Sequence, residues 1–244
     1  MMRIGIDLGS RSVKVIKKEG DQIVAKEVFD SFQFYTNFLK DSTGKHILKN
    51  VGSGEVVITG YGKFSSKVEG ANKISEVEAH VRGAKHQTGL TDFTLLDIGG
   101  QDTKVIKVEG GQAINFTMND KCAAGSGRFL ENMCKILDVS MEELSKHAGE
   151  GPTLSSTCAI FAESELIAKI IDGYSLDELC AGVNRTLILR TLPMIKRHLE
   201  EKLVFVGGGA KSPAIKQMLE QELKIPVIIP REPQFNGALG CVLS

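Results

Sequence analysis

Two stretches of the chain repeat each other: DLGSRSVKVIKKEGDQIVAK, residues 7–26, and DIGGQDTKVIKVEGGQAINF, residues 97–116. Aligned ninety residues apart, they share Asp, Gly, the Lys-Val-Ile-Lys core, Glu-Gly and the following Gln. Each reads as a strand end, a Gly-rich turn, a second strand, a tight hairpin turn and a third strand. Packing alone would not keep a polar Asp-x-Gly turn at a strand end, so the repeat predicts two related lobes. A solenoid would need more copies.

Strands are expected at 3–8, 13–17, 22–27, 56–59, 202–206 and 227–229, and helices at 32–40 and 75–87. After the second copy the pattern turns helical, over 124–137, 141–147, 159–171 and 176–199. Pro193 interrupts the backbone ladder of the last of these, having no N–H to give. Helices over 212–223 and 236–243 close the chain. Hairpin-linked strands followed by strands alternating with helices give an α/β chain with mixed sheets. The expected division is a lobe of residues 1–75 plus about 233–244, and a second lobe of 76–232.

Length, charge and cysteine usage narrow the function classes. The chain has 244 residues, 30 basic against 30 acidic, and 5 cysteines. A balanced charge gives no electrostatic footprint for nucleic acid or an anionic membrane. No apolar run is long enough to span a bilayer, and MMRIGIDLG enters a strand pattern with no basic leader. An odd cysteine count without a framework suits a reducing compartment. The expectation is a cytoplasmic protein that meets neither nucleic acid nor membrane.

Each Asp-x-Gly turn sets a carboxylate beside backbone that can approach phosphate oxygens closely. A carboxylate repels phosphate but holds hydrated Mg²⁺, which keeps several of its waters. Asp7 and Asp97 are therefore the expected Mg²⁺ clamp, acting through water. One such turn is an ordinary hairpin. Two of them, followed by VFVGGGAKSP at 204–213, where a strand runs into three glycines and a helix, make a nucleotide site. No GxxxxGK[ST] loop and no spaced GxGxxG is present, which sets aside P-loop and Rossmann sites.

These segments resemble the two phosphate motifs and the adenosine motif of the actin, Hsp70 and sugar-kinase ATPase superfamily. The resemblance implies two RNase H-like lobes, with ATP or ADP in the cleft between them. By position, Gly9, Ser10, Arg11, Ser12 and Lys14 belong to the first phosphate loop, with Asp7. Gly99, Gly100, Gln101 and Asp102 belong to the second, with Asp97. Gly207, Gly208, Gly209 and Ala210 form the adenosine wall, and Asn236, Gly237 and Ala238 close the back of the cleft. Gln101 beside Asp102 suggests a positioned water, hence hydrolysis. Asp7, Asp97 and Gln101 are the candidate catalytic residues.

Two cysteines remain, in NDKCAAGSGRFLE (119–131) and SSTCAIFAESE (155–165). Cys122 and Cys158 each stand before a predicted helix, whose N-terminus favours the metal-binding thiolate. One chain offers two such ligands where soft-metal sites want four. A two-fold dimer would supply Cys₄, for zinc or for an iron–sulfur cluster. Cys134, Cys180 and Cys241 fall among apolar positions and are expected in the core.

Both cysteine segments resemble the signatures of 2-hydroxyacyl-CoA dehydratase activators, the archerase-type group that includes benzoyl-CoA reductase ATPase subunits. GYGK at 60–63, DIGGQD and QFNGALG fit the same pattern over essentially the whole chain. The resemblance implies a homodimer with one [4Fe-4S] cluster ligated by Cys122 and Cys158 of each subunit. It also implies ATP-driven electron transfer to an iron–sulfur dehydratase or reductase, with ferredoxin or flavodoxin as donor. Ser126 and Arg11 depart from the pattern, and the first lobe is compact between residues 27 and 55. Two other functions compete: a small-molecule kinase of the N-acetylhexosamine type, and a zinc-bridged dimer using nucleotide as a switch.

Overall fold

The structure is a computed structural model that describes residues 1–38, 54–63, 68, 70–120, 122–154 and 158–243. The compact stretch between 27 and 55, and the last residues of the helix expected over 32–40, lie partly outside the described residues. So do the serines and threonine preceding Cys158. The chain forms two compact units. The first comprises Met1–Thr91, Glu109–Ala113 and Pro230–Ser244; the second comprises Asp92–Val108 and Ile114–Ile229.

In the first unit, β1 (Met2–Leu8), β2 (Ser12–Glu19) and β3 (Gln22–Asp30) form an antiparallel meander. After α1 (Ser31–Phe38), β4 (Glu55–Thr59) joins β1 in parallel and the short β5 (Asn72–Lys73) joins β4. The sheet order is β3-β2-β1-β4-β5. Ile4, Ile6, Leu8, Val13, Val15 and Ile58 pack with Phe34 of α1 in one core. Central strands of this kind read as apolar runs because both faces are covered. Each large side chain fully removed from water contributes about 1.5–3 kcal/mol.

The other face of β1 carries α8 (Asn236–Val242), and Gly5 makes that approach possible: a Cβ there would lie 2.3 Å from the Ala238 carbonyl oxygen. Helix α2 (Glu76–Thr88) is started by Ser75, whose side chain accepts from the Glu78 N–H, and is ended by Gly89 in the left-handed region. It packs on α8 at the backbone level. A Cβ on Gly83 would lie 2.1 Å from the Asn236 carbonyl oxygen, and one on Gly240 would lie 1.8 Å from that of Ala79. The first unit therefore runs through Thr91 rather than ending at residue 75, because α2 has its buried face on α8.

The second unit repeats the same sheet. Strands β6 (Phe93–Ile98), β7 (Thr103–Glu109) and β8 (Gln112–Asn119) form the meander. Strand β9 (Leu203–Gly207) pairs in parallel with β6, and β10 (Val227–Ile228) with β9. The order β10-β9-β6-β7-β8 is that of the first sheet with each strand replaced by its counterpart. Duplication thus extends past the matching sequence to strands with no visible similarity.

Between β8 and β9 the second unit inserts α3 (Gly127–Leu137), α4 (Met141–Leu144), α5 (Ala159–Ile171) and α6 (Leu176–Arg197). A capping box formed by Ser175 and Glu178 starts α6, which continues through Pro193. After β9, α7 (Pro213–Leu223) begins with Ser212 as cap and proline in its first turn, where a missing N–H costs nothing. Among the described residues, no helix is long and apolar enough to cross a membrane.

Because Gly240 meets the α2 backbone with no room for a methyl, Gly240→Ala is expected to destabilise the chain by about 1–3 kcal/mol, the usual cost of overpacking. Urea unfolding followed by circular dichroism measures it, and an unchanged midpoint would refute the close α2–α8 approach.

Candidate functional site

The two Asp-x-Gly turns are built alike. In the first unit Asp7 stands opposite Lys14 in the β1–β2 register, and Lys14 Nζ lies 3.6 Å from Asp7 Oδ2. In the second, Asp97 stands opposite Lys104, and Lys104 Nζ lies 3.7 Å from Asp97 Oδ2. Both carboxylates are buried. Two buried charges are tolerated only as partners, since removing one strands the other. Lys104 completes the pair in the second turn and also bonds Asp102. Its position was legible as the repeat partner of Lys14, but residue type alone gave it no role.

Around Asp7 the first turn is tight. A Cβ on Gly9 would meet the Ser12 carbonyl oxygen at 2.5 Å and Lys14 Nζ at 3.2 Å. Ser31 Oγ donates to the Gly9 carbonyl at 2.8 Å. Tyr35 donates its hydroxyl to the Leu8 carbonyl at 3.3 Å, and burial together with the Asp7 charge pushes its pKa up to about 12. Ser10 and Ser12 are half-buried in this turn, while Arg11 points outward and pairs with Asp30 at 2.9 Å. Gly237 lies against Asp7: a Cβ there would meet Asp7 Oδ2 at 3.3 Å and His80 Nε2 at 3.2 Å. Asn236 holds that corner by donating to the His80 carbonyl at 2.8 Å. His80 is a site neighbour that no motif announced.

In the second unit the glycine triplet sits on the second turn. Gly207 has φ +83°, and a Cβ on it would lie 2.3 Å from Asp97 Oδ1. One on Gly209 would lie 2.7 Å from Ile98 Cβ. The backbone at Gly207–Gly209 therefore approaches Asp97 and Ile98 as closely as backbone can, and Ala210 is buried behind it. Gly208 is exposed, and so is Gln101 at the tip of the turn. Gly99 closes the turn, its N–H donating to the Asp102 carbonyl at 2.9 Å.

The same turn is bound to the cysteine segment. The N–H groups of Gly127 and Arg128 donate to the carbonyls of Gly99 at 2.9 Å and Gly100 at 2.8 Å. Thr103 Oγ1 donates to the Gly125 carbonyl at 2.5 Å. Cys122 is therefore separated by only a few residues from backbone held by the Gly99–Asp102 turn.

Cys122 does not begin an α-helix over 124–137. It precedes a three-residue 3-10 turn, Ala123–Gly125; Ser126 is extended, and α3 starts at Gly127. The cause is Asn119, whose side chain accepts from the Cys122 N–H at 3.3 Å and donates to its carbonyl at 3.1 Å. The helix start expected at residue 124 thus moves three residues on, to Gly127, five residues past Cys122, whereas Cys158 does stand at the N-cap of α5. Cys122 is exposed and Cys158 half-buried.

Cys134, Cys180 and Cys241 are buried core residues, as their apolar surroundings led us to expect. Burial raises the Cys134 thiol and pushes Cys180 up to about 11. Among the described residues no group of three or more His, Cys, Asp or Glu converges on one point.

Arg190 of α6 lies against the segment that follows Cys122. Its Nη1 donates to the Ala124 carbonyl at 3.0 Å, and its guanidinium stands 4.9 Å from the Phe129 ring centroid. Burial lowers its pKa, opposed by negative charge at Cys122, Glu165 and Cys158. Its Nη2 is buried without a hydrogen-bond partner among the described residues.

Duplicated sheets with carboxylate turns and a glycine triplet define an actin-like ATPase. The chain belongs to the BadF/BadG/BcrA/BcrD ATPase family, whose model matches residues 4–244. It is 38% identical to the 2-hydroxyisocaproyl-CoA dehydratase activator of Clostridioides difficile, over 100% of this chain and 94% of that one. The structure of that activator from Clostridium difficile with bound ADPNP matches with a TM-score of 0.84 and 33% identity, covering 100% of this chain and 93% of the other. Component A of the Acidaminococcus fermentans (R)-2-hydroxyglutaryl-CoA dehydratase matches with a TM-score of 0.86 and 34% identity, covering 100% and 96%.

Thiol and phenol chemistry check this environment. In iron-free protein at pH 8 a maleimide should label Cys122 and Cys158 rapidly and the three buried thiols only on unfolding; mass spectrometry of the labelled peptides reads the pattern, and fast labelling of Cys180 would contradict it. Tyr35, with its folded pKa raised above the ordinary 10.0 to about 12, adds stability below pH 10 that is lost as pH rises toward 12. One of the 3 tyrosines should therefore ionise late in an ultraviolet titration, and Tyr35→Phe should remove that late step.

Proposed function

We propose that the chain is an ATP-hydrolysing activator carrying a [4Fe-4S] cluster shared across a homodimer. In this reading it passes a low-potential electron to a partner iron–sulfur dehydratase or related reductase. The observation that carries the proposal is the short backbone connection between the second phosphate turn and the Cys122 segment, through Gly99, Gly100, Gly127 and Arg128. A nucleotide-dependent shift of that turn must be felt where the cysteine stands.

Asp7 and Asp97 would hold hydrated Mg²⁺, each oriented by the lysine opposite it. Peptide N–H groups of the two turns would meet the phosphates, with Ser10, Ser12 and Lys14 on the first side and Asp102 steadied by Lys104 on the second. Gln101, at the exposed tip, would orient the attacking water. The Gly207–Gly209 backbone would lie along the adenosine, an approach that any side chain at Gly207 would block.

The residues at the cysteines fit a cluster. Two thiol ligands are presented at accessible positions, and the half-buried Arg190 holds the Ala124 carbonyl, two residues from Cys122, with its other terminal nitrogen buried and unsatisfied among the described residues. That combination suits an anionic metal–thiolate group. A single chain brings two cysteines, so the remaining two come from a second copy. Helix α5, which Cys158 caps, exposes Ile160, Phe161, Ile167, Ile170 and Ile171, an apolar face of the kind that marks an interface. When bound, the cluster supplies one-electron chemistry at a potential set by charge, hydrogen bonds and exposure. A dehydratase partner follows from the relatives' names, and a ferredoxin or flavodoxin is the natural class of donor.

A small-molecule kinase would need neither cysteine, and one experiment separates the two functions. Anaerobically purified protein should carry about four irons per dimer, and Cys122→Ser and Cys158→Ser should each lose them. Asp7→Asn and Asp97→Asn should lower ATP turnover by about 10²-fold or more, the scale for removing a preorganised charge-stabilising group. Iron-free wild-type protein, or a Cys158→Ser variant with a full cluster, would sink the proposal. ATP turnover only with a sugar present would favour the kinase.

A further inference from the structure

Arg190 is the single charged side chain in the run TLILRTLPMI of α6, residues 186–195. It is not a surface cation with its head in water. One terminal nitrogen holds the Ala124 carbonyl, the guanidinium covers the Phe129 ring, and the other terminal nitrogen is buried with no acceptor among the described residues. An unsatisfied buried donor costs about 1–3 kcal/mol, and more when it is charged. Folding accepts such a cost where a missing component returns it. The carbonyl that Arg190 holds belongs to Ala124, two residues after Cys122.

We propose that Arg190 is a positioning residue for the anionic group that Cys122 and Cys158 hold, Nη1 fixing the Cys122 loop and Nη2 donating to a sulfur of that group. This rests on the cluster reading above. The division of labour needs a planar fork with two donors at a fixed separation. A lysine, with one point charge on a flexible stem, cannot hold the Ala124 carbonyl and a second acceptor in the same way.

Arg190 thereby has two consequences. It fixes Ala124 directly beside Gly125, whose own carbonyl is held by Thr103 at the end of the phosphate turn, so the loop is held from both sides. It also sets a positive charge and a hydrogen bond against the group at Cys122 and Cys158. Positive charge favours the more negative, reduced state, so Arg190 makes the group easier to reduce by a ferredoxin-class donor.

The test is an EPR-monitored redox titration of the anaerobic full-length dimer, with iron content and thermal melting recorded in parallel. Arg190→Gln removes the charge and is expected to weaken reduction about tenfold, which is about 59 mV to lower potential for one electron. Arg190→Lys should shift the potential in the same direction by less. Loss of iron from either variant at an unchanged melting temperature also supports the assignment, because the loop is then no longer held. Either variant, folded with wild-type iron and at the wild-type potential, overturns it; Arg190→Lys alone decides the matter should Arg190→Gln fail to fold. Wild-type protein without iron would instead remove the cluster reading and this inference with it.

Discussion

Everything distinctive in the second unit depends on two carbonyls, those of Gly99 and Gly100, accepting hydrogen bonds from the first turn of α3. The first N–H groups of a helix have no partner within it. Here they find one on the Gly99–Asp102 turn, so a single set of bonds caps the helix and anchors the turn. The arrangement demands small residues. A Cβ on Gly127 would lie 2.9 Å from the Gly99 carbonyl oxygen, and one on Gly99 would lie 2.7 Å from Asp102 Oδ1. The glycines of GSGRF are the seat on which the Gly99–Asp102 turn rests.

The first unit shows what duplication alone provides. It has the same sheet order and the same Asp–Lys pair, and its turn is tied to α1 by Ser31, whose Oγ donates to the Gly9 carbonyl and whose N–H donates to the Arg11 carbonyl, and by Tyr35 on the Leu8 carbonyl. What the second unit adds is the insertion α3–α6 between β8 and β9, which carries Cys122, Cys158 and Arg190. On the proposed reading, the sheets would supply a nucleotide apparatus twice over, and the insertion a second chemistry. Bringing them together required no new element, only a helix start placed against an existing turn.

The legible parts of the molecule share a physical reason. The repeat, the carboxylate turns and the glycine triplet are local, and local backbone demands write themselves into residue type. The cysteines stood out because a thiol at a helix entrance is chemically conspicuous. What stayed hidden depends on contacts distant in sequence. Nothing in NDKCAAGS shows that the Asn119 side chain will turn the chain around Cys122 and delay α3. Nothing in SEVEAHVRGA assigns α2 to the first unit, because its partner α8 lies some 150 residues away, where Gly240 and Asn236 meet it. Arg190 was the hardest to see. An arginine in an apolar helical run reads as an outward-facing charge, and only the position of Ala124 and Phe129 turns it inward.

Magnitudes bound what the turn-to-cysteine link can transmit. Two backbone hydrogen bonds and the Thr103 bond contribute about 1 kcal/mol each. Their sum, about 3 kcal/mol, falls short of the ~5.5 kcal/mol needed to swing a two-state element from 1:99 to 99:1. A nucleotide acting through one subunit's link alone would therefore bias the cysteine segment rather than switch it. If, as proposed, two subunits share one four-cysteine site, the available coupling would double to about 6 kcal/mol, which is enough. The proposed dimer would then do more than complete a ligand set: sharing the group would make two modest links act on one equilibrium. Arg190 then works in the same direction, because a loop pinned on both sides of Gly125 passes a displacement on instead of absorbing it.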